Sequence, residues 1–132
     1  MSERLPVTVI TGFLGAGKTT LASRLPQRTW FHYSGDYRIG TRYLGEAILD
    51  NAKREAMKSP LLAELLRSDS IYLCNNITVS NLKPLSGFLG MVGDPALGGL
   101  GIDEFKRRQA LHRDAEVCSM LDVREFIDKS LE

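Results

Sequence analysis

One stretch near the start of the chain limits what it can fold into: Gly12-Phe-Leu-Gly-Ala-Gly-Lys-Thr19, a G-x-x-x-x-G-K-T pattern. The run before it, Val7-Thr-Val-Ile-Thr11, is β-branched throughout and reads as a buried strand. The segment after it, Lys18 to Leu25, reads as a short helix stopped by Pro26. Glycines at 12, 15 and 17 let backbone N–H groups turn inward around an anion with no Cβ in the way. The helix start adds unpaired amides and the positive end of a dipole. Strand, glycine turn and helix in that order make a cradle for phosphate. In it Gly12, Gly15, Ala16 and Gly17 form the wall, and the Lys18 ammonium reaches the β- and γ-phosphates. The Thr19 hydroxyl ligates Mg²⁺, and the next hydroxyl, Thr20, reaches the α-phosphate.

The rest of the composition narrows the class. A chain of 132 residues suggests a single domain over 1–132 with room for a core. Its 43% apolar and 25% charged residues are those of an ordinary soluble globule. A formal charge of +1 gives no reason to expect nucleic acid or an anionic membrane as partner. No apolar run is long enough to span a bilayer, and the first residues lack the apolar stretch of a signal peptide. Cys74 and Cys118 make neither a disulfide framework nor a metal cluster, and His32 and His112 share no ligand spacing with other residues. The expected location is the cytoplasm.

Along the chain, Thr29-Trp-Phe-His-Tyr-Ser34 reads as a second strand, with Asp36 just past its end. Ligands of open parallel sheets bind outside the carboxyl ends of strands, so Asp36 is expected in the same crevice as the glycine loop. Residues 43–58 carry Leu44, Ala47, Ile48, Ala52, Ala56 and Met57 at helical spacing. Ser59-Pro60 caps a helix running to Arg67. Ile71-Tyr-Leu-Cys74 reads as a third strand, with Cys74 in the core. Residues 77–101, rich in glycine, form a long surface segment with a short helix within 79–90. A helix begins near Ile102, its acidic residues leading, and continues in preference to a strand through Val117–Asp122. Asp122 opens the last helix as a capping-box residue. The fold class expected is α/β, a three-layer P-loop sandwich with a parallel sheet, small or truncated, since each βαβ unit needs about 30 residues.

The stretch Val9 to Leu21 resembles the P-loop of the CobW-like metallochaperone GTPases. That resemblance covers about 16 residues. The Cys-x-Cys-Cys metal motif, the Walker B aspartate and the Asn-Lys-x-Asp guanine motif of that family do not appear. Ser34-Gly-Asp-Tyr-Arg38 is similar to the Asp-Gly-Asp-x-x-Arg stretch of small P-loop kinases such as the adenylylsulfate kinases. This resemblance implies that Asp36 accepts a proton or holds Mg²⁺ through water and that Arg38 meets a substrate anion. Residues 31–113 also resemble uncharacterised bacterial P-loop proteins described as ATPases, whose Walker B aspartate follows later in the chain. Arg107, Arg108 and Arg113, on a helix after a glycine-rich loop, occupy the place of lid arginines in small kinases.

The leading expectation is a protein that binds Mg·ATP, with GTP as the alternative, and hydrolyses it or transfers its γ-phosphoryl group to a small-molecule acceptor. Lys18 and Asp36 would be the catalytic pair. Two other readings stand beside it: a CobW-like GTPase relative, and a nucleotide-sensing module without turnover.

Overall fold

The computed structural model describes residues 7–9 and 18–132, except the side chains of Lys18, Thr19 and Ser23. The chain divides into two compact units, 1–32 and 33–132.

In the first unit, helix α1 spans Lys18–Ser23. The amides of Arg24 and Leu25 still turn back to Leu21 and Ala22 at 3.2 Å, and Pro26 ends the run. The Pro26 carbonyl then accepts from the amides of Thr29 (3.1 Å) and Trp30 (2.9 Å) and from the Thr29 hydroxyl (3.3 Å).

The second unit is built from helices. Helix α2 (Gly35–Arg38) runs into a π-helical turn, Ile39–Tyr43, followed by α3 (Gly45–Ala56), α4 (Pro60–Arg67) and α5 (Lys83–Leu89). A 3₁₀ turn (Pro95–Leu97), the long helix α6 (Ile102–Leu121) and α7 (Val123–Ser130) complete it. The sequence sets most of these boundaries. Ser34 Oγ accepts from the Tyr37 amide (3.2 Å), and Ser59 Oγ accepts from Leu62 (3.4 Å) with Pro60 at the first helical position. The π turn adds a residue, closing with Leu44 N–H donating to Ile39 C=O at 2.8 Å, and it directs both Ile39 and Leu44 inward. Those two join Ile48, Leu85, Phe88 and Ala115 in a small core, with Tyr43, Ala47, Ile77, Leu89 and Leu111 packed around it.

The expected α/β sandwich is corrected by the structure. Among the described residues there is no strand, and β pairing is confined to two isolated bridges, Thr78 with Asn81 and Val92 with Leu100. A run of four to six β-formers becomes a strand only when a neighbour completes its hydrogen-bond ladder. Here the local bonds go elsewhere. The Thr29–Ser34 run begins in the Pro26 turn and ends as the cap of α2. At Ile71–Cys74, the Ile71 amide turns back to the Leu65 carbonyl of α4 at 3.3 Å. Tyr72 is 85% exposed and Cys74 is exposed rather than in the core. Val7-Thr-Val9 is exposed without regular structure, and the rest of that expected strand lies outside the described residues.

The glycine-rich segment is ordered by close approach. Leu100 N–H donates to Met91 C=O and Gly93 N–H to Leu100 C=O, both at 2.9 Å. A Cβ on Gly99 would stand 2.6 Å from the Gly93 backbone, so only glycine fits there without a shift.

Phe88 is 3% exposed and stacks under the Arg108 guanidinium at 4.6 Å. Phe88→Ala should therefore lower stability by about 3–5 kcal/mol, whereas Tyr72→Ala should stay within about 0.5 kcal/mol. Urea titrations of the two variants measure both.

Candidate functional site

Gly12, Gly15, Ala16 and Gly17 lie outside the described residues. Lys18 and Thr19 are the first residues of α1, and Thr20 follows on an exposed position of the same helix. The donor chemistry suits Mg²⁺: a threonine hydroxyl is a hard oxygen ligand, and nucleotide phosphates and water supply the rest of such a shell.

Asp36 belongs to the second unit, in the first turn of α2 rather than at the end of a strand. Its carboxylate is exposed, and no described group pairs with it. Arg38, two residues on, is deeply engaged. Its Nε donates to Asp122 Oδ2 (3.1 Å) and its Nη2 to Glu125 Oε2 (2.9 Å), while the guanidinium lies 5.2 Å above the Phe126 ring. The substrate anion expected at Arg38 is thus replaced by two carboxylates of the chain itself.

Those bonds belong to a wider cluster. Arg42 reaches Glu125 at 3.2 Å, Lys129 approaches Glu125 at 3.3 Å, and the Tyr43 hydroxyl donates to Asp122. Tyr33 meets Phe126 edge-on at 4.4 Å and donates its hydroxyl to the Ser119 carbonyl. The Tyr43 hydroxyl, and after it Arg38, holds the Asp122 carboxyl below the usual aspartate range. Lys129 and the two arginines do the same for Glu125. Burial pushes the Tyr33 phenol up. Asp122 precedes α7 as the capping reading expects, but its backbone is right-handed helical rather than extended, its side chain makes no cap bond, and Oδ2 is turned to Tyr43 and Arg38.

The three arginines expected as a lid are placed differently from one another. Arg107 grips Glu104 with Nε (2.9 Å) and Nη2 (2.7 Å). Arg108 is buried, its Nε on Glu104 Oε1 (2.8 Å), Nη1 on the Phe88 carbonyl (2.6 Å) and Nη2 on Asn51 Oδ1 (3.0 Å). Arg113 is 77% exposed, with Asp114 at 3.9 Å. Hydrogen bonds from Arg107 and then Arg108 hold Glu104 down to about 2.

Sequence reasoning gave no part in this cluster to Tyr33, Tyr43, Glu125 or Phe126, although Glu125 and Phe126 read as capping-box and apolar positions of the last helix. A readable signal existed: Arg38 and Arg42 are four apart and Asp122 and Glu125 three apart, so each pair presents one charge on one helix face. Among the described residues no group of three His, Cys, Asp or Glu side chains could hold a metal ion, and no helix is long and apolar enough to cross a membrane.

Residues 6–33 match the family model described as CobW/HypB/UreG, nucleotide-binding domain. The matched segment contains the whole glycine loop and α1, and it supports P-loop nucleotide binding at the head of the chain. It covers less than a quarter of the 132 residues, so it speaks for that segment alone. No curated protein and no solved structure matches the chain significantly.

Two tests follow from the ion pairs. Asp122, Glu125 and Glu104 titrate lower in the folded chain than in the unfolded one, so the stability they add is present above their ordinary values, about 3.9 and 4.3. It is lost as the pH falls through their folded values, which for Glu104 is about 2. The urea midpoint should fall steadily over that acid range, and Asp122→Asn should reduce the slope. Arg108→Leu should cost about 2–4 kcal/mol, because it leaves Asn51 Oδ1 and the Phe88 carbonyl without their donor, while Arg107 still holds Glu104. Arg113→Ala should cost under about 0.5 kcal/mol in the same titration.

Proposed function

We propose that the segment spanning residues 6–33 binds a Mg²⁺-nucleoside triphosphate and that the chain hydrolyses it. The observation that carries this reading is the match of that segment to a nucleotide-binding family model, over a stretch that holds Gly12, Gly15, Ala16, Gly17, Lys18 and Thr19 in the pattern phosphate binding needs. Backbone amides of the loop would surround the phosphates, and the Lys18 ammonium would neutralise charge on the β- and γ-oxygens. The Thr19 hydroxyl would take one position on Mg²⁺, and the Thr20 hydroxyl would meet the α-phosphate. Mg²⁺ held there would neutralise negative charge on the β- and γ-phosphates. Asp36 is the carboxylate we assign to a metal-bound water or an attacking hydroxyl, on the strength of the sequence Ser34-Gly-Asp-Tyr-Arg38. Of the three arginines considered for charge stabilisation, Arg113 is the most exposed.

The family match favours a guanine nucleotide at least as well as an adenine nucleotide. The adenine reading rests on the kinase-like stretch, where Arg38 is held by Asp122 and Glu125. The CobW-like GTPase reading therefore stands as the second proposal, on the same loop.

A thermal melt of the full chain with Mg·ATP, Mg·GTP or neither separates these readings. A nucleotide at 100 times its Kd should stabilise the protein by about 2.7 kcal/mol, and Lys18→Ala should abolish the shift. Asp36→Asn should keep the shift and lose turnover. Binding without turnover in the unaltered chain would identify a nucleotide-sensing module, and a melt that neither nucleotide moves would overturn the assignment.

A further inference from the structure

The second unit contains a cleft of about 410 Å³ that the nucleotide reading does not use. It lies between the π turn, the start of α3 and the segment around Asn75, within the size range of small-ligand sites, roughly 300–1,000 Å³. Its apolar lining comes from Leu49 and Ile77, both half-buried. Gly40 backs onto Ile77, where a Cβ would make an ordinary van der Waals contact at 3.5 Å.

The polar side chains lining the cleft present mostly acceptors. Thr41 Oγ1 donates its proton to the Tyr37 carbonyl at 2.7 Å, which leaves only lone pairs to offer. Asn75 Nδ2 donates one of its two hydrogens to the Gly45 carbonyl at 2.7 Å; this fixes the amide and leaves Oδ1 as an acceptor beside one remaining N–H. Glu46 is exposed, and no described residue pairs with its carboxylate. The side-chain lining thus offers mainly acceptors, with one amide N–H and one negative charge, beside an apolar surface. A divalent cation is a poor match, because one carboxylate is too few hard ligands and no metal-holding group of side chains is present among the described residues. A carboxylate or phosphate would meet like charge. The cleft lined by Lys53, Asp69 and Tyr72 mixes both charge signs and selects no ligand class.

We propose that the cleft beside the π turn binds a small organic ammonium compound. The ammonium donates to the Glu46 carboxylate and Asn75 Oδ1, and a short hydrocarbon body lies on Leu49 and Ile77. The site lies wholly within residues 33–132 and is independent of the nucleotide assignment.

The test is a ¹⁵N–¹H correlation titration of the full chain with n-butylammonium chloride, 1-butanol, sodium butyrate and sodium chloride. Butylammonium should give saturable shifts centred on the amides of Gly40, Gly45, Glu46, Asn75 and Ile77. Butanol should bind at least about tenfold more weakly, as loss of a charge-assisted bond implies, and butyrate should not compete. Glu46→Gln should weaken butylammonium by about tenfold, while Glu55→Gln, whose carboxylate pairs with Lys58 at 2.8 Å, should leave it unchanged. Equal affinity for butanol, shifts reproduced by sodium chloride, no saturable shift, or an unaffected Glu46→Gln variant would each overturn the proposal. The ligand comparisons on the unaltered chain decide the matter even if a substitution disturbs folding.

Discussion

A buried guanidinium sets the terms for the helical unit. Arg108 is 8% exposed, and a cation taken out of water is tolerable only when its donors are matched. Its three bonded nitrogens reach a carboxylate one turn back on α6, the Phe88 carbonyl in the last turn of α5 and the Asn51 amide oxygen on α3. Those directions are fixed by the planar fork of the side chain, so satisfying Arg108 fixes where α3 and α5 stand against α6. The bond to Phe88 also satisfies a carbonyl at a helix end, where helices leave acceptors unmatched. The Phe88 ring beneath the guanidinium joins this polar junction to the core of Ile39, Leu44, Ile48 and Leu85.

At the other end of α6 a second junction uses the same chemistry from the opposite side. There the arginines belong to α2 and the π turn, and the carboxylates to the α6–α7 corner. Between the junctions α6 turns small residues inward, Ala115 and Ser119, which lets neighbouring backbones come close. Tyr33 uses that approach, reaching the Ser119 carbonyl with its hydroxyl.

Most helices were legible, the short α2 and the π turn excepted, and the sheet was not, for a physical reason. Helical signals are local: Ser59-Pro60, the acidic start at Asp103-Glu104 and the spacing of Leu44, Ala47 and Ile48 each act within a turn or two, and each lies at its helix in the structure. A strand depends on a partner elsewhere in the chain, and the runs Thr29–Ser34 and Ile71–Cys74 have no such partner among the described residues. The glycine loop was legible as chemistry because its spacing carries the mechanism, and the family match falls on the same residues. Arg108 read as a lid residue because a charge on a helix tells nothing of which face is covered; only the partners Asn51 and Phe88, 57 and 20 residues away, distinguish a packed cation from a solvated one.

The inward face of α6 gives the unit an unusual thermal character. The buried residues of that helix are Arg108, Ala115 and Ser119, with no large apolar side chain among them. Exposing apolar surface on unfolding raises the heat capacity and exposing polar surface lowers it. A helix whose fully covered positions are a guanidinium, a methyl and a hydroxyl, with Phe105 and Leu111 only half-buried, therefore adds less to that increment. The free-energy curve of the unit is correspondingly flatter with temperature than a leucine-lined helix of the same length would make it, and its stability changes less on cooling.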